Sequence, residues 1–100
     1  MLQKNEIISK LKELKPVYEQ DGLILVGLFG SYAKDTQNNF SDIDIAYKLN
    51  YDKFSKKYKD GFSKILKIDH IKEELQHLFK TKVDLVPDNN KALFKEIVYV

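Results

Sequence analysis

Two aspartates separated by one residue are the clearest candidates for chemistry in this chain. Asp42 and Asp44 lie within Ser41-Asp42-Ile43-Asp44-Ile45, where polar and apolar residues alternate as in a strand. In a strand, side chains at i and i+2 share a face, roughly 6.5–7 Å apart. Carboxylates this close repel each other unless a cation lies between them. Mg²⁺ prefers oxygen ligands of this kind, so the spacing predicts a divalent metal site.

A glycine–serine pair precedes the aspartates at the end of an apolar run. Gly30-Ser31 follows Leu23–Phe29 directly. One interpretation is that Gly30 allows close backbone approach to a ligand. Backbone N–H groups at the start of a short helical stretch over Tyr32–Lys34, with the Ser31 hydroxyl, then bind a phosphate. The alternative is a plain strand-to-helix turn, for which Gly-Ser is common. The nearby carboxylates favour the phosphate interpretation.

Together these motifs resemble a known family signature. Gly30-Ser31-x-Ala33-Lys34 followed by Ser41-Asp42-Ile43-Asp44-Ile45 resembles the signature of DNA polymerase β-like nucleotidyltransferases, most of all the short minimal nucleotidyltransferase (MNT) domain. Val83-Asp84-Leu85-Val86 is similar to the family's third carboxylate strand. The resemblance implies an α+β, polymerase β palm-like fold, with a small mixed β-sheet covered by helices and one domain over residues 1–100.

The same resemblance implies roles for individual residues. Asp42, Asp44 and Asp84 would hold one or two Mg²⁺ ions, and Asp84 could also accept the proton of an attacking hydroxyl. Gly30 and Ser31 would cradle the phosphates of ATP, the nucleotide donor, and Lys34 would offset their charge. Asp35 stands where the family usually has glycine, and Asp tolerates the positive φ that glycine permits less well.

A partner is implied by resemblance as well. In HEPN/MNT toxin–antitoxin pairs, the MNT protein is the antitoxin and silences a HEPN ribonuclease, either by adding AMP to a tyrosine or by binding it. We therefore expect a protein adenylyltransferase that forms a hetero-oligomer with a HEPN-type toxin. Two alternatives stay open: an inactive antitoxin that acts by binding alone, and a nucleotidyltransferase for a small-molecule acceptor such as an aminoglycoside.

The amino-acid composition limits which partners the protein is expected to bind and in which compartment it is expected to act. The net charge is only +2 and all 17 basic side chains are lysines, which disfavours nucleic-acid binding and removes bidentate arginine–phosphate clamps. A chain without cysteine cannot form disulfides or thiolate metal sites. His70 and His77 are too far apart along a helix to share a metal. No apolar run approaches the ~20 residues of a membrane span, and no signal-peptide core is evident at the N-terminus, so we expect a cytoplasmic protein.

The elements that must position the motifs follow from hydrophobic periodicity. Apolar residues at helical spacing predict helices over residues 3–20, ended or kinked near Pro16, and over 62–80, continuous or broken with Asp69 as a cap. The basic, aromatic-rich stretch 49–61 is partly helical, with solvated lysines and buried aromatics; nucleic-acid binding is its alternative. Strands are predicted over 23–29, 41–48, 82–86 and 97–100, and a short helix over 91–96.

Overall fold

The computed structural model describes residues 2–89 and 96–100. Its helices are α1 (Lys4–Glu19), α2 (Tyr51–Lys57) and α3 (Gly61–Phe79). Its strands are β1 (Leu23–Phe29), β2 (Ile43–Leu49), β3 (Val83–Pro87) and β4 (Val98–Tyr99). The short helix predicted over 91–96 falls almost wholly outside the described residues. None of the described helices is both long and apolar enough to span a lipid bilayer.

The strands form one mixed sheet in the order β3-β2-β1-β4. β1 pairs antiparallel with both β2 and β4, whereas β2 and β3 are parallel. A parallel pair needs a long crossover connection, and α2 and α3 supply it. This architecture confirms the predicted α+β fold with a small mixed sheet.

Helices α1 and α3 cover one face of the sheet. Their fully or nearly buried side chains join those of the strands in a single hydrophobic cluster; the helical members are Ile7, Leu11 and Tyr18 from α1 and Ile71, Leu75 and Phe79 from α3. In β2, the cluster takes Ile43, Ile45 and Tyr47. Because strand side chains alternate between faces, Asp44 projects from the face that α1 and α3 do not cover.

Two helix boundaries differ from those that the sequence predicts. Pro16 lies inside α1 and does not end it, because Tyr18, in the turn after the proline, is buried in the core. Helix α3 is continuous, so Asp69 caps nothing. The cap is Asp60, whose carboxylate accepts a hydrogen bond of 2.7 Å from the Ser63 N–H.

Strand β2 begins at Ile43, two residues later than predicted, because residues 41 and 42 have no strand to pair with. β1 ends at Phe29, opposite Asp44, and β3 starts at Val83, opposite Ile43. The Ser41 N–H donates instead to Asn38 O within the preceding loop, at 3.1 Å. Asp42 therefore sits immediately before β2 rather than inside it.

The outer edge of β3 is poorly suited to accept another strand. Ile43 N–H donates to Lys82 O and Asp88 N–H donates to Tyr47 O, so Val83 and Pro87 turn their backbone away from β2. The Val83 N–H already donates to Gln76 Oε1, at 3.1 Å. Proline has no N–H to offer. Edges blocked in this way resist strand addition.

Asp21, in the turn between α1 and β1, ties this turn to the two other helices. Its carboxylate forms ion pairs with Lys57 of α2 and Lys67 of α3. The hydrogen bond from Lys57, followed by the charges of the two lysines, lowers the pKa of Asp21 against a smaller opposing effect of burial. The folded state therefore favours the ionised carboxylate.

Replacing Asp21 with asparagine should lower the melting temperature by a few degrees at pH 7, because both lysines lose their anion. A lowered folded pKa stabilises the protein fully above the unfolded value of 3.8, and this stabilisation is lost as pH falls through the folded pKa. The wild-type and D21N melting curves, followed by circular dichroism, should therefore converge in acid. The control is Asp52→Asn, because Asp52 is exposed and forms no ion pair among the described residues. If D21N melts at the same temperature as this control at pH 7, the proposed role of Asp21 is wrong.

Candidate active site

The sheet topology brings the sequence-predicted residues to one end of three adjacent strands. β2 and β3 are parallel and start at the same end, and Asp44 and Asp84 are register partners across them. β1 is antiparallel to β2 and finishes at that end, with Phe29 opposite Asp44. Gly30 therefore follows β1 beside the carboxylates, and Asp42 precedes β2 at the same place.

Gly30 is in direct contact with the carboxylate of Asp44. Its φ of 77° lies in the left-handed region that favours glycine. A Cβ atom at this position would overlap Oδ2 of Asp44, so even alanine does not fit without movement of the carboxylate. Glycine is thus favoured here for two reasons: the backbone has a positive φ, and the Asp44 carboxylate occupies the space that a Cβ atom would need.

Asp44 is the electrostatic centre of the group. Partial burial raises its pKa above the ordinary 3.8, and the charges of Asp84 and then Asp42 raise it further. Ionisation of this carboxylate is therefore less favourable in the folded protein than in the unfolded chain. A cation placed among these oxygens would stabilise the ionised form.

The arrangement fits Mg²⁺ as an ion shared with a nucleotide rather than caged by the protein. Among the described residues, no three histidine, cysteine, aspartate or glutamate side chains form a ready metal cluster. Mg²⁺ is commonly held by one or two carboxylates together with substrate phosphates and water. Asp44 with Asp42 or Asp84 offers such a partial set of hard oxygen ligands.

The loop after Gly30 is a turn and not the short helix predicted over 32–34. Lys34 N–H donates to Gly30 O at 3.2 Å, and Thr36 N–H donates to Ser31 O at 2.9 Å. Asp35 then takes a φ of 58°, a left-handed conformation that ends any helix after one turn. Glycine adopts this conformation at lower energy, which explains the family preference noted above.

The predicted phosphate ligands differ in how the structure places them. Ser31 is half-buried next to Gly30, and its hydroxyl has no hydrogen-bond partner within the described part of the chain. Lys34 is exposed, and across residues 2–89 and 96–100 no carboxylate pairs with it. Both side chains are thus available to a ligand, although the backbone donors come from a turn instead of a helix.

Lys82 is a site neighbour that the sequence reasoning missed. Its Nζ lies 4.0 Å from Oδ2 of Asp42, and its carbonyl accepts a hydrogen bond from the Ile43 N–H. The sequence feature that could have identified it is its position directly before the third carboxylate strand. Lys4, at the start of α1, lies 3.9 Å from Asp35 and brings a further positive charge to the loop. In a chain without arginine, Lys82 is the cation recorded beside the site carboxylates in the described residues, and Lys4 lies beside the neighbouring loop.

Comparison with known proteins assigns this arrangement to a class. Residues 5–99 match the family described as Polymerase beta, Nucleotidyltransferase. The chain belongs to this family, and it is a nucleotidyltransferase of the MNT type.

Individual relatives refine the assignment. A Methanocaldococcus jannaschii protein named "Putative protein adenylyltransferase MJ0126" is 31% identical over 103 residues, covering 95% of this chain and 92% of its own. A crystal structure of a toxin-antitoxin with AMP-PNP aligns with a TM-score of 0.53 and 29% identity. That alignment covers 95% of this chain and 66% of the other, so this chain spans somewhat less than two thirds of its neighbour.

Gly30→Ala should destabilise the protein by about 1–3 kcal/mol, because the new methyl group must displace Asp44 and the backbone is held at positive φ. Gly61→Ala is the matched control, since a Cβ there meets nothing within 4 Å and helix α3 begins at this residue. Urea denaturation measures both. Equal stability of the two variants would show that the carboxylate does not need the space at Gly30.

Asp44→Asn should raise the melting temperature of the metal-free protein at pH 7. A raised folded pKa means that ionised Asp44 costs stability above this pKa, and the difference from wild type should shrink as pH falls and Asp44 takes up a proton. Added Mg²⁺ should stabilise the wild type by mass action and leave D44N unchanged. A thermal-shift titration measures both effects, with Asp69→Asn as control; a wild type indifferent to Mg²⁺ with ATP would argue against the site.

Proposed function

We propose that this nucleotidyltransferase is the antitoxin of a HEPN/MNT pair and transfers AMP from Mg²⁺-ATP to a tyrosine hydroxyl of a HEPN-type toxin. The observation that carries the proposal is Asp44, held between Asp42 and Asp84 and against Gly30. The named activity of the archaeal relative and the toxin-antitoxin neighbour with AMP-PNP support the donor and the partner.

Each residue of the site has a role in this reaction. Asp42 and Asp44 would hold the metal, and Asp84, on the neighbouring strand, would complete the ligand set or receive the acceptor's proton. The backbone at Gly30 and the Ser31 hydroxyl position the phosphates. Lys34 offsets their charge, and Lys82 is near enough to Asp42 to join it. When bound, Mg²⁺ neutralises the triphosphate and lowers the pKa of the attacking hydroxyl.

The chemistry is a single displacement at phosphorus. The acceptor oxygen bonds to the α-phosphorus of ATP while the bond from that phosphorus to the bridging α–β oxygen breaks, and pyrophosphate leaves. The hydroxyl proton passes to Asp84, directly or through water. Positioning and charge stabilisation dominate such reactions, so a few carboxylates and a glycine–serine turn suffice.

The partner completes what this chain lacks. A sheet of four strands with its covering helices leaves little material to enclose a nucleotide and an acceptor together. With no arginine in the chain, a guanidinium at the phosphates has to come from the toxin. We propose that the two proteins form a hetero-oligomer in the cytoplasm, where Mg²⁺-ATP is plentiful.

A second candidate function is neutralisation by contact alone. The feature that favours it is Asp35, which occupies a left-handed position usually given to glycine and adds a negative charge near the phosphate turn. The three intact carboxylates favour catalysis, because they destabilise a protein that does not use them.

Incubation with α-³²P-ATP, Mg²⁺ and a cognate HEPN toxin should label the toxin. Asp44→Asn should reduce labelling to background, since its charge is central to the metal site, whereas Glu13→Gln, exposed on α1, should label like the wild type. Growth rescue of toxin-expressing cells measures the consequence in parallel.

Unlabelled toxin, together with growth rescue by Asp42→Asn/Asp44→Asn, would replace the enzymatic proposal with neutralisation by contact. Label on an aminoglycoside or another small acceptor in the absence of toxin would instead identify a small-molecule enzyme.

A further inference from the structure

The first two turns of α3 carry large apolar side chains that the protein does not bury. Phe62 is 72% exposed, Ile65 67% and Leu66 52%. The buried residues of the same helix, Ile71, Leu75 and Phe79, all lie in its C-terminal half. The first two turns therefore expose their apolar side chains, and packing against the core begins at Ile68.

This half of α3 stands as a ridge between two surface depressions. One, of about 470 Å³, is lined by Leu66, Tyr58 and Lys67 and also by the carboxylates Asp69 and Glu73. The other, of about 260 Å³, is lined by Ile65, Ile68, Tyr47 and Leu85. A surface that fits over the ridge could place side chains on both sides of it.

Lysines are concentrated in the segment that contains the ridge and leads into it. Residues 50–68 contain lysines at 53, 56, 57, 59, 64 and 67 against aspartates at 52 and 60, although the whole chain carries only +2. Lys57 and Lys67 are engaged with Asp21. In the described part of the chain, the other four have no carboxylate within ion-pair distance. We call the ridge and its lysine border, residues 51–68, the α2–α3 corner.

The α2–α3 corner is rigid before anything binds to it. Asn50 caps α2 by accepting a hydrogen bond from the Lys53 N–H, and its own N–H donates to Gly22 O at 2.8 Å. Phe54 is fully buried, and Gly22 lies against its backbone. Asp60 caps α3. A preformed surface loses little entropy on binding.

The corner is remote from the carboxylates. α3 leads into β3 through residues 80–82, so its C-terminal end is the one next to the site. From Ile65 to Phe79 the helix rises roughly 20 Å, at about 1.5 Å per residue. Binding at the corner is therefore separable from chemistry at Asp44.

We propose that the α2–α3 corner docks the protein that this enzyme modifies, through a partner surface with an apolar groove bordered by acidic residues. The proposal rests on the proposed function only in taking the toxin as that protein. A second copy of this chain is a poor occupant because two lysine borders repel. Strand addition is disfavoured by the blocked β3 edge. Phe62 offers an exposed aromatic face, but a nucleic acid is disfavoured as the occupant because the whole chain carries a net charge of only +2.

The test uses Ile65→Ser/Leu66→Ser, with Leu78→Ser, exposed at the other end of α3, as the matched control. Binding of the full chain to the HEPN toxin, measured by biolayer interferometry, should weaken at least about tenfold in the double variant and stay unchanged in the control. The KM for the toxin in the labelling assay should rise equally, with kcat and the thermal shift by Mg²⁺-ATP unaltered.

Charge is tested separately. Lys59→Gln/Lys64→Gln should slow association and flatten its dependence on salt, because the acidic border steers the encounter. Lys12→Gln, on α1, should do neither. If the double lysine variant associates with the wild-type rate and salt dependence, the proposed acidic border on the partner is wrong.

The outcomes distinguish this proposal from the proposed function. Loss of binding in I65S/L66S with wild-type binding but no AMP transfer would support the corner and contradict the enzymatic reaction. Equal binding by wild type and I65S/L66S would overturn the corner and leave the reaction in place. The docking proposal would also be overturned if the wild type does not bind the toxin. It would likewise be overturned if Ile65 and Leu66 are needed to bind single-stranded RNA or anionic vesicles.

Discussion

Repulsion among three carboxylates at one end of the sheet is the constraint on which the rest of the structure depends. Asp44 sits opposite Asp84 in the register and next to Asp42, and partial burial makes its charge more costly. Within residues 2–89 and 96–100, the ion pair recorded for these three carboxylates is the one between Lys82 and Asp42. The fold must therefore hold the charges together by other means.

Those other means lie on the opposite face of the sheet and at its other end. The cluster beneath α1 and α3 supplies the burial, and Asp21 clamps the turn before β1 to α2 and α3. The site itself is stabilised only by geometry, with Gly30 shaped around the Asp44 carboxylate. Separating the stabilising core from the charged site lets a small chain carry a destabilising site.

Local patterns predicted the elements well wherever the pattern and the packing agreed. The strand over Leu23–Phe29 was correct to the residue, and the periodicity of α1 identified its buried residues. In α3 the predicted core stripe was right for Ile71, Leu75 and Phe79 but wrong for Ile65, Leu66 and Leu78, which are exposed. The predictions failed where a distant partner decided the outcome. Pro16 does not break α1 because Tyr18 is buried beyond it, and Asp42 is not in a strand because no neighbouring strand extends that far. The turn after Gly30 ends at Asp35, whose left-handed φ excludes the short helix.

By itself, the sequence determined the chemistry: which oxygens could bind a cation, where a glycine would let the backbone approach, and that no arginine or cysteine takes part. These follow from residue type and short-range spacing, which the chain carries directly. Only the tertiary structure decided that Asp84, forty residues after Asp44, lies opposite it. The same holds for the overlap that excludes a Cβ at Gly30, for the approach of Lys82 and for the exposure of Phe62, Ile65 and Leu66. Each depends on the register of neighbouring strands or on how far a helix overlaps the sheet, and no local pattern encodes either.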